Sequence, residues 1–148
     1  EYRSHAQSAY KMGSDFQVKG GIGWWRLCTR YCNDESFDQE IGILNNVAVG
    51  GFTRIEWRNQ RAELTFYSID LTDEEIKIYI TFLLDKGFRE FNFHKITWPV
   101  YGHDPHLELY KTIFNAEAVL REEYYWNGVF QDRIYLSLLK KDFFMLDK

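Results

Sequence analysis

Residues 63–88 read Glu63-Leu64-Thr65-Phe66-Tyr67-Ser68-Ile69-Asp70-Leu71-Thr72-Asp73-Glu74-Glu75-Ile76-Lys77-Ile78-Tyr79-Ile80-Thr81-Phe82-Leu83-Leu84-Asp85-Lys86-Gly87-Phe88, a strand that hands directly to a helix. In the first part Leu64, Phe66 and Ser68 alternate with Thr65, Tyr67 and Ile69, the period of two expected of a strand. The period then changes: Ile76, Tyr79, Ile80 and Leu83 fall at i, i+3, i+4 and i+7, one apolar stripe of a helix. Thr72-Asp73-Glu74-Glu75 fits a capping box at its start, and Gly87 is expected to take the left-handed position that ends it near Lys86. Many α/β proteins hold a phosphate at such a helix start, and this one fills the place with its own carboxylates.

The flanks extend this unit into an α/β domain. Upstream, Ile22 to Tyr31 reads as a strand on its aromatic content, and Ile41 to Ile55 as a strand that bends at Asn45-Asn46 or Gly50-Gly51. Ser4 to Met12 has a brief helical pattern. The polar turn Glu56 to Gln60 makes a hairpin into the Arg61 to Ile69 strand. Downstream, the aromatic run Glu90 to Trp98, ended by Pro99, reads as the strand that lies parallel to the first, with His94 packed within it. Asp104-Pro105 supplies an N-cap and a first-turn proline for a helix through Leu107, Tyr110, Lys111 and Phe114. Asn127-Gly128 joins Ala118 to Tyr125 with Val129 to Leu139, a strong hairpin signal. The expected architecture is a mixed central sheet with helices on both faces.

Composition narrows the functional classes. At 148 residues the chain forms one domain, 1–148, with room for a full core. Twelve Phe, ten Tyr and five Trp beside two Pro favour an ordered, strand-rich globule. A net charge of −4, with no basic stripe, argues against nucleic acid as a partner. No apolar run is long enough to span a bilayer, so a membrane partner is not expected. Two cysteines, Cys28 and Cys32, are too few for a disulfide framework and suit a reducing, cytoplasmic compartment. Together with His103 and His106 they invite a zinc reading. Four residues apart in a strand, at about 3.3 Å per residue, the two cysteines do not form the usual knuckle, and no metal is expected. The chain starts at Glu1 without methionine, so the N-terminal elements are expected to be incomplete.

Three segments together resemble the GNAT superfamily of acyl-CoA-dependent N-acetyltransferases, in particular the branch of ribosomal-protein N-terminal acetyltransferases. They are Ile55 to Leu64, which looks like the hairpin between the family's third and fourth strands, and Leu107 to Lys111, which looks like its late helix. The third is the terminal hairpin, Val119 to Glu122, Trp126 to Asp132 and Ser137 to Leu139. The likeness covers residues 41–143. It implies transfer of an acetyl group from acetyl-CoA, as co-substrate, to a primary amine on a small molecule or peptide. Acyl-CoA would lie between the fourth and fifth strands, against Phe66, Tyr67, Ser68, Ile69 and Thr72. Tyr110 falls on the family position that often supplies a proton to the departing thiolate, and Glu63, at the entrance of the fourth strand, is the candidate base or water-holder.

The family's glycine-rich phosphate loop, however, is replaced here by Ser68 to Glu75, with no glycine, no basic residue and four carboxylates, a degenerate phosphate loop. Each like-charge approach to a pyrophosphate costs on the order of 1 kcal/mol in water. The alternative reading is therefore a GNAT-like domain that has lost acyl-CoA binding and serves as a binding or assembly module. In that setting Tyr110 is a helix residue burying its ring, and Glu63 a cross-strand ion pair beside Arg58 and Arg61. The aromatic content also suits a homodimer formed by pairing an open sheet edge.

Overall fold

The computed structural model describes residues 22–28, 38–44 and 47–146. The strands are β1 (Ile22–Cys28), β2 (Asp38–Leu44), β3 (Ala48–Glu56), β4 (Arg61–Ser68), β5 (Lys95–Tyr101), β6 (Asn115–Trp126) and β7 (Val129–Leu139). The helices are α1 (Asp73–Asp85), extended by a π-helical turn at Lys86–Glu90, then α2 (Leu107–Ile113) and α3 (Lys140–Leu146). They build a seven-stranded sheet in the order β1-β2-β3-β4-β5-β7-β6. Every pairing is antiparallel except that of β4 with β5, the two strands α1 connects. The expected mixed α/β sheet is thus present. The short helical pattern at Ser4 to Met12 and Cys32 lie outside the described residues.

One face of the sheet carries the core. Phe52, Leu64, Phe66, Ile96, Trp98, Val100, Ile134, Leu136 and Leu138 alternate along β3, β4, β5 and β7 and are buried. Onto them α1 sets Ile76, Ile80, Leu83 and Leu84, α2 sets Tyr110, and α3 sets Phe143 against Phe88 at 5.2 Å. Among the described residues the helices pack on this face, because each has a single apolar stripe and all the stripes meet in one cluster.

Several elements differ from the sequence expectation. The run from Ile41 to Ile55 is not one bent strand but parts of two, β2 and β3, which pair antiparallel with Leu44 opposite Ala48. Asn45 and Asn46, where an interruption was expected, lie outside the described residues. At the end of α1, Gly87 does not form a left-handed cap. The helix loosens into the π turn, and Asn92 takes the positive φ of 59° instead. Gly87 is needed for close approach: a Cβ there would sit 2.7 Å from the Phe52 ring and 2.9 Å from the Ile96 side chain.

The aromatics of the run from Glu90 to Trp98 therefore serve a corner as well as a strand. Phe91 and Phe93 pack edge-on and tilted against Phe52 and Trp57. β5 begins only at Lys95 and continues through Pro99, and His94 lies before it, exposed. Pro99 is tolerated because, beyond Thr97, β5 keeps a ladder on its β7 side only and is an edge strand there. α2 starts at Leu107 after an N-cap at His106. Asp104 instead turns the chain before the helix, its Oδ1 accepting from the His106 amide at 2.9 Å.

Candidate functional site

The β4–β5 pair sets the geometry. Their ladder runs only from Arg61 opposite Lys95 to Glu63 opposite Thr97, and beyond it the strands diverge. From Leu64 to Ser68 the β4 backbone keeps its β3 partner on one side and has no strand on the side facing β5. This is the parting of neighbouring strands, at their carboxyl ends, where open α/β sheets bind ligands.

The lips of the parting are joined by side chains. The Phe66 ring of β4 meets Trp98 of β5 edge-on at 6.5 Å, and Trp98 lies against Tyr110 of α2 at 4.3 Å and Phe114 at 5.5 Å. Phe66, Trp98 and Tyr110 are all buried. Outside this aromatic column, the start of α1 meets the start of α2. Nδ1 of His106 lies 2.9 Å from Oδ1 of Asp73, the first residue of α1.

α1 starts there because its cap is complete. Thr72 Oγ1 accepts from the Glu75 amide at 3.2 Å, and the Glu75 carboxylate accepts from the Thr72 amide at 3.1 Å. Burial pushes the Tyr110 phenol well above the ordinary tyrosine range, and the negative charges of Asp104 and then Asp73 push it the same way. Tyr110 therefore stays protonated, a hydrogen-bond donor at neutral pH.

The residues singled out in the sequence are only partly brought together. Tyr110, Phe66 and Thr72 lie around the parting. Phe66 turns its side chain into the core, so only its backbone faces the opening. Tyr67 and Ile69 are 71% and 73% exposed, and the Ile69 amide donates to the Val47 carbonyl at 3.1 Å. Ser68, half-buried, is the last β4 residue, opposite Ala48.

Glu63 stands apart. It alternates onto the face opposite Phe66 and Trp98 and pairs with Arg54 at 3.0 Å, while Arg61 is held by Glu56 at 2.7 Å. The ion-pair setting is thus the observed one, with Arg54 as partner. His103 stacks on Trp126 at 4.9 Å and on Tyr101 and Tyr124 at 5.8 and 5.7 Å, away from His106 and its carboxylate partner.

Sequence reasoning missed Trp98 and the Asp73–His106 pair. Trp98 closed the aromatic run that the sequence showed, but nothing local marked it as a bridge between two strands and a helix. The pair joins residues 33 apart, a separation at which no local pattern operates.

Solved structures match this arrangement along most of the chain. Mutant forms of the spermidine/spermine N-acetyltransferase SpeG from Vibrio cholerae superpose with a TM-score of 0.67 at 21% identity, covering 80% of this chain and 73% of that one. The manganese complex of the same enzyme gives 0.66 at 21%, covering 80% and 74%. Its dodecameric form in an intermediate state gives 0.67 at 21%, again covering 80% and 74%. The chain has a GNAT fold. Residues 1–48 match the family model described as Phage P22-like portal protein, a stretch that takes in β1 and β2 and stops at the first residue of β3. Curated proteins give no match.

Proposed function

We propose that this GNAT-fold domain is an N-acetyltransferase that moves an acetyl group from acetyl-CoA to a primary amine. The observation that carries the reading is the parting of β4 from β5 with Tyr110 beside it, joined to the strands through Trp98. The unpaired β4 edge from Leu64 to Ser68 suits the amides of a pantetheine arm, which would add to it as a short strand. Tyr110, kept protonated, would donate a hydrogen bond to the sulfur as the thiolate departs. Its raised proton affinity suits donation and return of one proton better than lasting ionisation.

The phosphate end is held weakly in this reading. Asp73, Glu74 and Glu75 form the first turn of α1, where related sites favour an anion, so the loop is a degenerate one and the pantetheine carries most of the affinity. The same charges suit an acceptor with more than one positive centre. The solved neighbours act on spermidine, while the sequence segments resemble the ribosomal-protein branch, and both acceptors present a primary amine. Self-association along the open edge of β6 completes the proposal.

A second reading, a GNAT-like module without acyl-CoA binding, is favoured by one observation: buried Phe66, Trp98 and Tyr110 close the parting on the core side. Calorimetric titration with acetyl-CoA at low salt separates the two, with Tyr110→Phe and Asp73→Asn/Glu74→Gln proteins alongside. Micromolar binding to the unmodified chain, followed by thiol release when spermidine or an N-terminal peptide is added, supports the transferase. No binding by any of the three proteins would favour the module.

A further inference from the structure

We propose that His106 is the general base that takes the proton from the acceptor amine, with Asp73 as its positioning residue; this rests on the transferase reading above. Amine attack needs a neutral nitrogen, so a transferase needs a proton acceptor near its proton donor. Glu63 is spent on Arg54 and lies on the other face of the sheet from Tyr110. His106 lies on the right side: one turn before Tyr110 on the same stretch, with ring centroids 6.3 Å apart, and across the mouth of the parting from α1.

The ring is oriented as a base requires. Its Nδ1 is 2.9 Å from the Asp73 carboxylate, which accepts a hydrogen bond from Nδ1–H and leaves Nε2 as the basic nitrogen. Its backbone is fixed as well, the amide donating to Asp104 Oδ1 at 2.9 Å, and its ring is half-buried. The charged and titratable groups around it are Asp73 from α1, Asp104 from the preceding turn and Tyr110 from α2. The Asp73 carboxylate holds the ring in one orientation. Imidazole is also the side chain whose ordinary charge change spans neutral pH.

The protons balance. The ammonium of the acceptor gives one proton to Nε2 of His106, which passes it to water. The neutral nitrogen forms a bond to the thioester carbonyl carbon, and the carbon–sulfur bond breaks with its electron pair on sulfur. The second proton leaves the new amide nitrogen as Tyr110 gives its own to sulfur and takes that one in exchange. The products are the acetylated amine, the free thiol and one proton in water.

The test is thiol release from acetyl-CoA with spermidine as acceptor, followed from pH 5.5 to 9.5 for the unmodified chain, His106→Gln, His106→Ala and Asp73→Asn. Thermal unfolding of each protein checks the fold, and calorimetry checks acetyl-CoA binding. The expected result is a fall of about 100-fold in kcat/KM for His106→Gln, a size usual for a positioned base. Its acidic limb should be lost and acetyl-CoA affinity kept. Asp73→Asn falls about tenfold with the limb retained. Imidazole added to His106→Ala restores activity in proportion to its concentration, which a merely structural histidine would not allow. An active unmodified chain with an unchanged limb in His106→Gln and no rescue overturns the role of His106 and leaves the transferase standing. Binding without turnover by the unmodified chain, or no binding at all, overturns both.

Discussion

Tyr110 packs its ring on Trp98 and buries a phenol near two carboxylates, so packing and ionisation act on the same side chain. Its proton affinity is higher folded than unfolded, because burial first, then Asp104 and Asp73, disfavour the phenolate. A group of this kind adds stability that is fully present below its unfolded value of about 10 and is lost as pH rises through the folded value. Unfolding free energy from urea titrations should therefore decline above about pH 10. In Tyr110→Phe that decline should be shallower, because phenylalanine has no proton to lose. Equal slopes in the two proteins would mean that the phenol is hydrated and that its environment has been misread. The role proposed for Tyr110 was suggested in the sequence only by its place in a helix that resembles the family's late helix. Its burial was legible in the spacing of Leu107, Tyr110 and Phe114, whereas the two charges that add to the effect of burial come from a turn and from another element.

α1 is the element whose sequence and structure agree most fully. Its apolar stripe, its start at Asp73 and its reciprocal cap at Thr72 and Glu75 all follow from local rules, since the cap joins residues three apart and the stripe repeats every three or four residues. The hairpin at Asn127-Gly128 is equally local, with both residues at positive φ as a tight turn requires. Where a longer-range contact decides, local reading failed. Gly87 looked like a cap but serves the approach of the π turn to Phe52 and Ile96, and the aromatics before β5 looked like a strand but build a corner. The cap also bears on the site, because Thr72 fixes where Asp73 stands before His106. Thr72→Ala should cost about 1 kcal/mol of stability, read as a lower urea midpoint with an unchanged slope. Thr72→Ser, which keeps the hydroxyl, should cost much less. A Thr72→Ala protein as stable as the original would show that water replaces the cap without loss.

At the scale of the whole molecule the sheet ends, among the described residues, in an unpartnered strand. β6 is exposed along almost its full length, and the adjoining hairpin leaves Val119, Tyr125, Trp126, Val129 and Phe130 between 50% and 62% exposed. A long edge carrying apolar side chains pairs readily with another strand unless something blunts it. Here the irregularity between Leu120 and Tyr124, where Arg121, Glu122 and Glu123 crowd together, interrupts the edge without covering it. A second copy of the chain offers the same edge and the same apolar hairpin, so an isologous contact buries both at once. Light scattering at increasing concentration should therefore report a dimer. Trp126→Lys with Phe130→Lys should shift it to monomer with a modest fall in the monomer's unfolding midpoint, since both side chains are about half exposed and lose ring contacts to His103 and Tyr125. A chain that stays monomeric at the highest concentration, or a dimer indifferent to the two lysines, would move the contact away from this hairpin. The parting of β4 from β5 lies two strands inward, on the far side of β5 and β7, so loss of the dimer should leave acetyl-CoA binding intact.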